Sequence, residues 1–212
     1  MHKLKFAVLL TIFIAALSSI HAQETEAQVA ITLERTPCFG SCPVYTVSIL
    51  DDGTVIYNGE NFVDVTGEQI GQIDPEVVEQ MVDALEEAGY FEWDEAYDTR
   101  TVSDLPTITT SVTRDGETHQ IVRYAGDSSA PFALPYLEQW IDVMANTPMW
   151  TGVQPEIANV PTMNPPAVTL ERTPCFGFCP VYQVAMFDDG TGVFVGIANV
   201  NAIGVRQHYL EY

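Results

Sequence analysis

Four cysteines are the residues of this chain with the clearest chemical potential. They form two equally spaced pairs, Cys38 with Cys42 and Cys175 with Cys179. An even number of cysteines at a repeated spacing indicates disulfide bonds in an oxidising compartment, and pairing within each segment is one of three possible connectivities. A glycine inside each pair, Gly40 or Gly177, lets the chain curl until two Cα atoms reach disulfide distance. We therefore predict two local disulfide bonds.

Two other uses of these cysteines remain open. A redox-active pair would make the protein a thiol-disulfide enzyme or a redox sensor that uses the C-x3-C loop. Catalytic pairs usually have C-x2-C spacing at a helix N-terminus, which lowers the pKa of a thiol, whereas prolines and predicted strands flank these cysteines. A four-cysteine zinc site also uses a shorter spacing as a rule. A structural disulfide that fixes a turn between two strands is the interpretation we favour.

The cysteine pairs lie in a segment that occurs twice. The sequence ERTPCFGSCPVY at Glu34–Tyr45 returns as ERTPCFGFCPVY at Glu171–Tyr182, with Ser41 corresponding to Phe178. The match continues through Asp-Asp-Gly-Thr at 51–54 and 188–191, which indicates a repeated structural unit. Tyr212 then corresponds to Pro75, so the second copy stops where the first enters a predicted helix.

The large side chains that both segments share are the candidate interaction surface. They are Arg35, Phe39 and Tyr45 in the first copy, and Arg172, Phe176 and Tyr182 in the second. Arginines at such positions pair with a local carboxylate more often than with a ligand. The histidines and paired carboxylates lie in no catalytic or metal-ligand spacing. We predict no catalytic residue, metal or cofactor, and a partner that is an unidentified protein or small ligand.

The N-terminus and the charge indicate an exported, acidic protein. Lys3 and Lys5 precede an apolar run at 6–17 and the segment Ser-Ser-Ile-His-Ala at 18–22, the layout of a signal peptide cleaved after Ala22. Periplasmic or extracellular location is expected, with no membrane span after cleavage. The chain has 29 acidic against 8 basic residues, a formal charge of −21. Such a surface repels phosphate backbones and so excludes nucleic-acid binding.

Alternating apolar residues and turn signals predict the elements of the first copy. Strands are expected at 30–35, 44–50, 54–57, 107–114 and 118–124, with a weaker one within 62–73. Asp74 and Pro75 begin a helix that Gly89 ends, with an apolar stripe along it. The stripe residues are Val77, Val78, Met81, Val82 and Leu85. A second helix, entered through Pro131 and Pro135, is marked by Leu134, Leu137, Ile141 and Met144.

This order of elements predicts an α+β fold, an antiparallel sheet with two helices on one face. We divide the chain into a signal peptide (1–22), a complete repeat unit (28–150), a proline-rich linker (151–166) and a partial second unit (167–212). The partial unit has predicted strands at 167–173, 181–187 and 191–195 but no helix. Either the reading frame is truncated, or the partial unit docks on the first unit or on another chain, because a short bare meander is marginal alone.

These residues resemble a known family. The ERTPCFGxCPVY segment, the helix after Asp74-Pro75, the Ser-Asp-Leu-Pro-Thr stretch at 103–107 and the region at 137–150 are similar to the exported bacterial domain of unknown function 6438. The resemblance covers 28–152 in full and 167–212 as the N-terminal part. It implies no activity, substrate or catalytic residue. We interpret the chain as a non-catalytic binding or envelope-associated module, with the redox protein as the alternative.

Overall fold

The computed structural model describes residues 26–100, 102–153 and 166–209. The predicted signal peptide lies outside this part of the chain, as does most of the predicted linker. The described residues form two sheets with helices in contact with both. The predicted α+β class and the incomplete second copy are confirmed.

The first copy forms a seven-stranded sheet. Its strands are β1 (Val29–Arg35), β2 (Val44–Leu50), β3 (Thr54–Asn61), β4 (Gly67–Gln72), β5 (Ala96–Tyr97), β6 (Thr107–Arg114) and β7 (Glu117–Tyr124). The order across the sheet is β4-β3-β2-β1-β6-β7-β5, and all neighbours are antiparallel except β5 with β7. The β6–β7 hairpin turns at Asp115 and Gly116 with φ of 53° and 80°, as expected for this pair. β1 is therefore central, between β2 and β6.

The helices are α1 (Pro75–Glu87), α2 (Leu134–Met144) and the short α3 (Pro148–Thr151), with a 3-10 turn at Tyr90–Glu92. α1 begins as predicted, because Asp74 Oδ1 accepts a hydrogen bond of 2.9 Å from the Glu76 amide. Its predicted stripe is buried except Val77, which is half-buried, while Ala84 joins the buried face. This face packs on β1 and β6.

The second copy forms a four-stranded sheet of order β11-β10-β9-β8. Its strands are β8 (Val168–Arg172), β9 (Val181–Met186), β10 (Thr191–Ala198) and β11 (Gly204–Tyr209). β11 is not among the predicted strands. It is the counterpart of β4, since Gly204 pairs with Gly196 as Gly67 pairs with Gly59.

The second sheet lies against the helices of the first copy. α2 contacts β10 and β11, and α1 contacts β11. The Trp140 indole donates a hydrogen bond of 3.2 Å to the Gly196 carbonyl, and Phe187 makes an edge contact with Phe132 at 4.8 Å between ring centroids. Buried residues of both copies form one continuous core. The partial unit thus docks on the first unit.

Candidate functional site

Both cysteine pairs form local disulfide bonds, Cys38 with Cys42 and Cys175 with Cys179. The Cα atoms are 5.7 Å apart in each, within the usual disulfide range. Gly40 and Gly177 have φ of 148° and 128°, backbone conformations that residues other than glycine rarely adopt. The predicted pairing and the role of these glycines are confirmed.

The first disulfide loop is fixed to the rest of its sheet by the backbone. The Phe39 amide donates to the Asp104 carbonyl at 3.0 Å, and the Thr36 amide donates to the Thr107 carbonyl at 3.0 Å. Thr36 also accepts from the Thr107 amide through Oγ1 at 2.8 Å. The disulfide thus closes the loop, and the hydrogen bonds of Thr36 and Phe39 fix its N-terminal side to residues 104–107.

Exposed phenylalanines are the most prominent feature of both loops. The exposed fractions of Phe39, Phe176 and Phe178 are 89%, 112% and 95%. Large aromatic side chains are usually buried in a folded protein. A single exposed one is common, but several on short loops are not. The two loops thus present aromatic rings to solvent on a backbone that is closed by a disulfide.

Arg35 and Tyr45 lie inside the first copy, where they meet Asp142 of α2. The Arg35 guanidinium donates to Asp142 Oδ2 from Nη2 at 2.7 Å and to the Tyr45 oxygen from Nε at 3.0 Å. The Tyr45 hydroxyl donates to Asp142 Oδ1 at 2.6 Å, and the Thr147 hydroxyl donates to the same oxygen at 2.8 Å. Every oxygen of the carboxylate is thereby satisfied, as burial of a charge requires.

The electrostatics of this cluster favour a permanently charged arginine and a neutral tyrosine. Burial alone would lower the pKa of Arg35, but Tyr45, Asp142 and Glu138 outweigh it and hold the pKa above its ordinary value. Burial, followed by the charge of Asp142, raises the pKa of Tyr45 well above its ordinary value. The same two causes raise the pKa of Tyr57 to about 12. A group locked in one protonation state near neutral pH is suited to a structural role and poorly suited to proton transfer.

A second buried ion pair lies one helical turn earlier on α2. Arg123 of β7 donates to both carboxylate oxygens of Glu138, with a distance of 2.7 Å from Nε to Oε1. Both side chains are at most 3% exposed. Sequence reasoning missed Arg123, Glu138 and Asp142. The available signal is the four-residue spacing of two carboxylates within a mostly apolar helix, which places both on one face.

The corresponding residues of the second copy have a different environment. Arg172 is exposed, and its guanidinium carbon lies 6.0 Å from the centroid of the Tyr182 ring. Tyr182 is half-buried. The structure therefore does not bring the six candidate interaction residues together. It places two of them in a buried cluster, Phe39 and Phe176 on the loops, and Arg172 and Tyr182 on a sheet face.

Comparison with protein families accounts for the repeat. The family model described as a domain of unknown function (DUF6438) matches residues 29–145 and 166–211. The chain belongs to this family. The matched ranges correspond to the complete DUF6438 copy and to the partial one, so the family resemblance expected from the cysteine segment is confirmed.

The remaining comparisons add no activity to the DUF6438 assignment. No curated protein and no solved structure matches the chain significantly. Among residues 26–100, 102–153 and 166–209, no three His, Cys, Asp or Glu side chains are grouped so that they could hold a metal ion. Within the same ranges, no helix has both the length and the apolar character needed to cross a membrane.

Proposed function

We propose that this protein is an exported, non-catalytic binding module of the cell envelope, which contacts a protein partner through its disulfide loops. The observation that carries the proposal is the exposure of Phe39, Phe176 and Phe178 on loops closed by disulfides. Aromatic side chains dominate the energetics of protein interfaces. A loop that is already rigid loses little conformational entropy when it binds, so its aromatic contacts yield more affinity.

Two further observations support this proposal. Disulfides form and persist mainly in oxidising compartments, which agrees with export. Arg35 is paired with Asp142 and no lysine follows the N-terminal segment, so neither Arg35 nor a lysine is free to stabilise a thiolate at Cys38 or Cys42. This environment thus favours a structural disulfide over a redox-active cysteine pair.

Binding of the purified protein to envelope fractions of its source cells tests the proposal. Replacing Phe39, Phe176 and Phe178 together by Ser should weaken binding at least about tenfold, a typical effect of removing interface aromatics. Ile70→Ser is the matched control, because Ile70 is 71% exposed but lies on β4, outside the loops. Equal losses in both variants, or no binding by the original protein, would contradict the proposal.

Thiol counting separates binding from the redox alternative. The protein is incubated with a mild glutathione buffer and its free thiols are then counted by alkylation and mass spectrometry. Structural disulfides should stay closed in this buffer, whereas redox-active pairs exchange with it. Release of two or four thiols would contradict the proposed binding module and favour a thiol-disulfide protein.

A further inference from the structure

The two copies use opposite faces of equivalent sheets. In the first copy, β1 and β2 pair so that Leu33 is beside Val47 and Arg35 is beside Tyr45. In the second, β8 and β9 pair in the same register, with Leu170 beside Val184 and Arg172 beside Tyr182. Tyr57 and Phe194 occupy equivalent places on the third strand. We call the second set, Leu170, Arg172, Tyr182, Val184 and Phe194, the core-equivalent face.

In the first copy this face is the one that the helices cover. Leu33, Val47 and Tyr57 are at most 1% exposed. Asp142 of α2 meets Arg35 and Tyr45, and Trp150 of α3 stacks on Tyr57 at 5.0 Å between ring centroids. A carboxylate on α2 and an aromatic ring on α3 thus complete this side of the first core.

In the second copy the helices cover the reverse face instead. Val193 and Val195, which point away from the core-equivalent face, are 1% and 5% exposed. They pack in the core with Trp140 of α2. The first copy has Ile56 and Asn58 at these positions, both at least partly exposed. The second copy has therefore become more apolar on its reverse face while keeping apolar side chains on the other.

The core-equivalent face remains uncovered and keeps the geometry of its counterpart. Leu170 is 50% exposed, and Arg172 is exposed as well. The rings of Tyr182 and Phe194 are 5.4 Å apart, against 5.6 Å for Tyr45 and Tyr57. Within the described part of the chain, Arg172 has no salt bridge, although the protein has 29 acidic residues. The face combines an apolar surface with one cation that has no counterion there.

We propose that the core-equivalent face binds an amphipathic helical segment of another polypeptide, a helix with an Asp or Glu on its apolar side followed by a short second helix that carries an aromatic residue, as α2 and α3 do. The carboxylate pairs with Arg172 and Tyr182 as Asp142 pairs with Arg35 and Tyr45. The aromatic ring stacks on Phe194 as Trp150 stacks on Tyr57. Charge complementarity and the occupant of the equivalent face in the first copy select this partner chemistry over an uncharged helix. The surface lies on strands β8 to β10, next to the second disulfide loop, and does not include the exposed phenylalanines of the loops.

A synthetic peptide with the sequence of residues 133–152 is the probe, because it contains α2 and α3. The labelled peptide is titrated with the full-length protein and fluorescence anisotropy is recorded. Saturable binding is expected, weakened at least about tenfold by Arg172→Ala in the protein or by Asp142→Asn in the peptide, since either change removes the ion pair. Arg100→Ala is the matched protein control, because Arg100 is also exposed and lies in the first copy.

Three results would overturn this proposal. The first is no binding of the peptide, and the second is equal binding of the original and Asp142→Asn peptides. The third is binding that Arg172→Ala leaves unchanged, which would show that the peptide replaces α2 in the first copy. Sedimentation of the protein alone identifies the competing occupant: a dimer that Leu170→Asp abolishes would mean that two copies cover this face with each other.

Discussion

At the residue scale, Arg35 shows what local sequence can and cannot reveal. The expected pairing with a carboxylate is found, because a buried arginine needs a counterion, but the expectation of a local carboxylate was wrong. The partner is Asp142, which lies 107 residues away and comes from another element. No local spacing connects the two residues, since they meet only after α2 has packed on the sheet. The cysteine pairing, by contrast, was predicted because both partners lie in one short loop.

Asp142→Asn should destabilise the protein by about 3 kcal/mol, the low end of the cost of removing one partner from a buried ion pair. The change keeps the shape of the side chain but leaves the Arg35 charge uncompensated, and the Arg35 side chain is only 19% exposed. Urea unfolding followed by circular dichroism measures the effect. Arg172→Ala is the control and should change stability by less than about 0.5 kcal/mol, because Arg172 is exposed.

A loss below about 1 kcal/mol in Asp142→Asn would contradict this view of the cluster. The hydrogen bonds of Tyr45 and Thr147 would then account for most of its contribution, and the charge for little.

At the element scale, the sequence predicted the amphipathic and well-capped elements and missed the polar edge strand. α1 was predictable because its cap, its first proline and its apolar stripe agree. β11 was missed because an edge strand needs few apolar residues, and its counterpart β4 is similarly polar. The predicted long strand within 62–73 is shorter, β4 at Gly67–Gln72, since β3 extends to Asn61.

Leu85→Ala should lower the free energy of unfolding by about 2 to 5 kcal/mol, the usual cost of a cavity in a packed core. Leu85 lies on α1 and is fully buried. Glu79→Ala on the exposed side of the same helix is the control, since it keeps helix propensity and leaves the core intact. Thermal melting of both variants gives the comparison. An unchanged melting temperature for Leu85→Ala would mean that α1 contributes little to the core.

At the scale of the whole molecule, the sequence predicted two unequal copies but not how they fit together. Docking of the partial copy was one of the alternatives. The alternating pattern of its strands does not show, however, which of the two sheet faces is buried. Val184 and Val195 are both apolar strand residues, yet the strand register places them on opposite faces of the sheet. A position-by-position comparison of the copies contains the missing signal, because Val195 replaces the polar Asn58.

Residues 23–152 expressed alone should be less stable than the full chain by at least about 3 kcal/mol, because Tyr136 and Trp140 of α2 lose their cover. Urea midpoints and binding of a hydrophobic dye measure the difference. Val195→Asn in the full chain should shift stability in the same direction, since it places a polar amide in the contact with α2. A fragment that unfolds cooperatively with unchanged stability would show that the first copy is autonomous.

The burial of the second sheet on α1 and α2 also orders the folding process in time. Its reverse face can be covered only after those helices have packed on the first sheet, because no described segment of the second copy supplies a helix. During synthesis the first copy emerges earlier, so its helices can pack on the first sheet before β9 and β10 have formed. Until β10 docks on α2, the Trp140 side chain of the growing chain is exposed to solvent and to chaperones. Docking of β10 and β11 on the helices thus removes this apolar surface from solvent.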